Sequence, residues 1–128
     1  INSTVSKIGV SPAHSGWQKL RATWGPCDSA GSDSGTVDLT GSIHALVTVP
    51  GTGGAKPSDQ YDITLLDEQD TAVDLLNSAG LNRASDGVEF AEPVASSYTP
   101  TVSVGSPTLK ITNASSDATG TCIFFIKN

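Results

Sequence analysis

Thr36-Val-Asp-Leu-Thr-Gly-Ser-Ile-His-Ala-Leu-Val-Thr-Val-Pro50, followed after a Gly- and Pro-rich connection by Tyr61-Asp-Ile-Thr-Leu-Leu66, decides how the rest of this chain is read. Every odd position from Val37 to Val49 is apolar or glycine, and among the even positions only Leu46 breaks the alternation. A period of two in β-branched residues predicts a strand with one buried face. Tyr61, Ile63 and Leu65 repeat the pattern against Asp62 and Thr64, and the two runs are close enough in sequence to pair. A strand over 36–49 exceeds the usual length of about five or six residues. Gly41 at its middle predicts a bulge or bend where the chain passes from one sheet to another.

Upstream, Trp17–Trp24 alternates Leu20, Ala22 and Trp24 with Lys19, Arg21 and Thr23. This predicts a strand with Trp24 in the core and Trp17 partly exposed on the Lys/Arg face. Before it, a short strand over 4–10 closes at Pro12 and Gly16, within a segment (1–16) that also reads as an extended N-terminal arm. The polar connection 50–60, which carries Lys56, is the kind of loop that contacts a partner. Beyond the acidic turn Asp67–Asp70, Thr71 as N-cap, Asp74 in the first turn and Gly80 as stop predict one short helix over 71–79, anchored by Val73, Leu75 and Leu76. Val88–Val94 reads as an edge strand because of Pro93. Short strands follow at 101–104 and around Leu109 and Ile111, then a turn over 113–120. Six to eight strands with close turn signals predict an all-β fold, an antiparallel β-sandwich forming one domain over 1–128.

The last run, Thr121-Cys-Ile-Phe-Phe-Ile-Lys127, is apolar on both faces, with Cys122, Phe124 and Ile126 on one side and Ile123 and Phe125 on the other. Such a strand is covered on both sides, either within its own chain or by another subunit.

Composition narrows the function. The chain has 128 residues, 7 Lys and Arg against 13 Asp and Glu, and a net charge of −6. Scattered cations on an acidic chain argue against nucleic-acid binding. No apolar run approaches the ~20 residues that span a bilayer, and no signal-peptide pattern opens the chain, so a soluble protein without membrane contact is expected. Ile1 in place of Met implies processing or upstream residues. Cys27 and Cys122 either pair, worth about 4–5 kcal/mol in the chain-entropy model, or are two buried thiols, the reading favoured in a domain this large.

Chemical motifs are sparse. Asp67, Glu68 and Asp70 offer oxygen ligands, but their spacing is not that of a calcium loop, and a solvated acidic turn is the simpler reading. His14 and His44 do not form a metal site unaided, and His44 lacks any nucleophile-elbow context, so a surface or interface histidine is expected. Asn2 and Asn113 head Asn-X-Ser/Thr tripeptides that arise readily in a Ser/Thr-rich chain. No catalytic residues, cofactor or metal site are expected. The interface candidates are Trp17, His44, Lys56, Ile123 and Phe125.

Val47-Thr-Val-Pro50, then Pro57-Ser-Asp-Gln-Tyr-Asp-Ile-Thr-Leu-Leu-Asp-Glu68, Val73-Asp-Leu-Leu76 and Gly80-Leu-Asn-Arg83 resemble a family of small structural proteins of tailed-bacteriophage virions. Ser106–Ile126 resembles the closing strand pair of that family, so the resemblance spans roughly 36–126. Tyr61–Glu68 with Asn82-Arg83 is its most specific part. Gln69-Asp70-Thr71 in place of a glycine-containing turn, and the apolar Phe124-Phe125, depart from the pattern. The resemblance implies a capsid decoration or cement protein, assembled into the virion in the bacterial cytoplasm. Its partners would be the major capsid protein or other virion proteins, with self-association. A tail, neck or fibre module is the alternative. A carbohydrate-binding module is a weaker one, since aromatics make up only 5% of the chain and Trp17 with Tyr98 would have to suffice.

Overall fold

The computed structural model of the chain describes residues 1–7, 16–96 and 99–127, the side chains of 5–7, 94–96 and 99–100 excepted. His14 and Tyr98 lie outside the described residues, as does the end of the strand expected over 4–10. The alternating segments become strands: β1 (Asn2–Lys7), β2 (Trp17–Trp24), β3 (Asp33–Thr36), β4 (Gly41–Pro50), β5 (Asp62–Leu66), β6 (Glu89–Ala91), β7 (Val94–Ser96), β8 (Thr99–Ser103), β9 (Thr108–Thr112) and β10 (Gly120–Lys127). Their ladders are antiparallel and form two sheets. The larger runs β1-β2-β10-β4-β8-β7, with β6 also paired to β4, and the smaller runs β3-β9-β5. The chain is an all-β, sandwich-like antiparallel fold, with ten strands among the described residues where six to eight were expected.

The two sheets share one core. Leu20, Trp24, Leu46 and Phe124 from the larger sheet and Ile63, Leu65, Leu109 and Ile111 from the smaller belong to one buried cluster. Burial of each such side chain contributes about 1.5–3 kcal/mol. Val37, Leu39, Tyr61 and Leu76, from the connections, complete the same cluster.

The stretch 36–49 does change sheets, as Gly41 suggests. β3 pairs with β9 in the smaller sheet, and β4 lies between β10 and the β6 and β8 strands of the larger. Between them the chain leaves strand geometry. Val37 and Leu39 donate their amides to the carbonyls of Pro107 and Gly105, and Gly41 turns with φ 136°, a value that disfavours any side chain. Because β4 and β5 fall in different sheets, the expected pairing of the two opening runs does not form. β5 pairs with β9 instead.

Register explains why Leu46 breaks the alternation. Phe125 lies opposite Ala45 but Ile126 lies opposite Ile43, so His44 is an extra residue in β4. One inserted residue exchanges the faces of everything beyond it. Ile43 points inward before the bulge, and Leu46 and Thr48 point inward after it, all three with no exposed surface. Val47 and Val49, expected in the core, are turned outward.

The helix expected over 71–79 is absent. Asp74 is the cause: its Oδ1 accepts the amides of Leu65 and Leu76, and its Oδ2 accepts that of Ser78. A short carboxylate that gathers local amides competes with helical bonding. Asn77 and Ser78 take positive φ, and Leu66 and Asp74 form an isolated β-bridge. The segment is a chain of turns that still buries Leu75 and Leu76. Only the single 3-10 turn Gly53–Ala55 is helical among the described residues. At the N-terminus, Asn2–Lys7 is no free arm but an edge strand in register with β2.

Candidate functional site

Register assembles one surface on the outside of the larger sheet. Across β2, β10 and β4 the same row holds Lys19, Phe125 and Ala45, the next Arg21, Ile123 and Val47, and the next Thr23, Thr121 and Val49. Residues opposite one another in a sheet share a face at contact distance, and the other face of these strands carries the core. Phe90 of β6 extends the middle row beside Val47, and Val102 of β8 lies opposite Ser42. Ile123, Phe125, Val47 and Val49 are half-buried, whereas Phe90 is 62% and Val102 59% exposed. No further sheet of the described residues packs over this face.

Within the described residues of its own chain, the strand expected to be covered on both sides is covered on one. Cys122, Phe124 and Ile126 are in the core, and Ile123 and Phe125 belong to the outer stripe. Trp17 and His44 join them: their rings meet edge to face, 4.9 Å between centroids, at the end of the sheet where Lys127 stands. The Lys127 ammonium sits 5.6 Å from the Trp17 ring centre, a cation–π arrangement. With one ring against it and a cation over it, Trp17 is not presented as the bare platform on which a sugar stacks.

Four of the five interface candidates thus meet on one face, and the fifth stands apart. Lys56 is paired with Asp86 on the wall of a cleft of about 410 Å³, which Val49 and Val88 also line. The cleft touches the outer face only through Val49. Sequence reasoning missed Val47, Val49, Phe90 and Val102 as members of the face. The break at Leu46 was the available signal for the first two. Phe90 lies on a three-residue strand, too short to show a period, and β8 around Val102 is otherwise Thr, Pro and Ser, with no apolar alternation to read.

The groups that could carry chemistry are engaged in structure. Cys27 and Cys122 are free and buried. Burial, and then the charges of Asp33 and Asp28, push the Cys27 thiol up to about 11. Burial pushes Cys122 up to about 12 despite the Trp24 indole beside it. Thiols so raised hold almost no thiolate at neutral pH. Tyr61, packed against Trp24 at 5.5 Å, is raised to about 12, chiefly by burial. Its hydroxyl finds Thr48 nearby, yet neither oxygen has a partner at full hydrogen-bond geometry.

The carboxylates of the acidic turn accept backbone amides: Asp67 those of Gln69 and Asp70, Glu68 that of Ser106, and Asp70 that of Ala72. Among the described residues no three His, Cys, Asp or Glu side chains converge as metal ligands would. Comparison of the chain with protein-family models and with curated proteins finds no match.

Proposed function

We propose that this protein is a structural component of a tailed-bacteriophage virion, a decoration protein that binds the outside of the head and reinforces it by contact with the major capsid protein. The observation that carries the reading is the outer face of the larger sheet, an apolar stripe through Ile123, Phe125, Val47 and Phe90 with no covering sheet among the described residues. Apolar patches of this kind on a polar protein mark surfaces that meet another protein. The resemblance of residues 36–126 to virion structural proteins supplies the context.

Quantitative mass analysis of purified particles tests the proposal. About one copy per major capsid subunit, or a simple fraction of that, is the expected result. A few to a few dozen copies per particle would move the protein to the neck, tail or fibres. Its absence from particles would remove the proposal.

A further inference from the structure

The partner's chemistry can be read from the cations that the outer face carries. β1, β2, β4 and β10 contain no Asp or Glu, although the chain has 13 acidic residues against 7 basic ones. On the β6 side of the face Glu89 pairs with Arg83, and Glu92 is exposed just past the end of that strand. Lys19, Arg21 and Lys127 all stand on this face. Elsewhere Lys56 pairs with Asp86 and Arg83 with Glu89, but no ion pair among the described residues engages Lys19, Arg21 or Lys127. An acidic protein thus keeps three cations outside every ion pair of the described residues, on the strands that carry its apolar stripe.

These cations cannot be left outside a contact made by the stripe. Arg21 lies directly opposite Ile123, and Lys19 directly opposite Phe125. Covering the two apolar side chains therefore strips water from their cationic neighbours. A cation desolvated without a counter-charge is strongly unfavourable, whereas an Arg or Lys that meets a carboxylate there fixes register and speeds encounter.

Resting on the function proposed above, we infer that the outer face docks on a protein surface presenting carboxylates around an apolar patch, opposite Arg21 and Lys19. A second copy joined face to face is a poor occupant. Two-fold pairing sets this patch against its own copy, so strands whose charged side chains are all cationic (Arg21, Lys19 and Lys127) face strands of the same sign. A polyanion is also a poor occupant: three cations flanking an apolar stripe on a chain of charge −6 do not make the clustered basic track that phosphates need.

The test adds purified protein to phage particles lacking it and measures bound copies against free concentration, from about 50 to 500 mM NaCl. Wild-type protein is expected to bind, and to bind at least about tenfold more weakly at the high-salt end. Ile123→Asp is expected to abolish binding. Arg21→Met keeps an aliphatic stem on an outward position and makes the stripe more apolar. It is expected to weaken binding at least about tenfold, because it leaves the partner's carboxylate unpaired.

Binding by Arg21→Met that is unchanged or tighter, or wild-type binding that does not fall with salt, overturns the carboxylate partner while the decoration reading stands. No binding by wild-type protein at any salt removes that reading and this inference with it. Sedimentation of the isolated protein adds a further arm. A dimer that Ile123→Asp dissolves, or retention of the protein on duplex DNA at 150 mM NaCl, would also overturn the inference.

Discussion

At the scale of single residues, neighbours in sequence have opposite fates, and substitution should expose the difference. Leu46 is fully buried and Val47 faces outward, only because His44 is inserted between Ile43 and Ala45. Leu46→Ala should cost about 2–5 kcal/mol in denaturant unfolding, and Val47→Ala far less. Equal losses would mean that the bulge is misplaced. Gly120 lies opposite Trp24, and a Cβ built there overlaps the indole ring. Gly120→Ala should therefore destabilise the fold by about 1–3 kcal/mol by overpacking, read as a lowered unfolding midpoint. Cys27 and Cys122, buried and raised to about 11 and 12, should resist a thiol reagent in the native protein at pH 8. Both should react at once in guanidinium. Rapid native labelling would contradict their burial.

At the scale of elements, the strands were legible where one residue in two was apolar and the register ran unbroken. β2 and β9 are read directly from such alternation, β10 from a run that is apolar on both faces, and the crossing between sheets from Gly41. What escaped depends on contacts distant in sequence. Whether β5 pairs with β4 or β9 is a choice between two suitable edges, and hydrophobic period does not distinguish them. The helix at 71–79 had sound local signals, but Asp74 satisfies the amide of Leu65, a residue on another element. Asp74→Ala should release three amides and cost about 2–3 kcal/mol, without a gain of helical signal in circular dichroism. A gain would show that the segment is a helix held open. The outer face was half legible. Ile123 and Phe125 stood out on an over-apolar strand, whereas Val47 and Val49 were assigned to the core by a pattern that the bulge inverts.

At the scale of the whole molecule, two sheets enclose a core that holds its protons, and the larger sheet keeps an apolar stripe on its outer face. Cys27, Cys122 and Tyr61 have folded-state pKa values raised above ordinary values of 9.0, 9.0 and 10.0. The unfolded chain therefore releases these protons first as pH rises, and the stability they contribute is present below about pH 9 and lost between about 9 and 12. Thermal unfolding midpoints should fall steadily over that window, and a flat profile would contradict the buried thiols and phenol. The larger claim concerns the outer sheet face, and side-chain oxidation by hydroxyl radicals, compared between free and particle-bound protein, tests it most directly. The expected result is that Phe125, Ile123, Phe90 and Trp17 lose reactivity on the particle while Val73, exposed in the chain of turns after β5, keeps it. Unchanged reactivity at Phe125 and Phe90, with protection appearing over β3, β9 and β5 instead, would contradict the account.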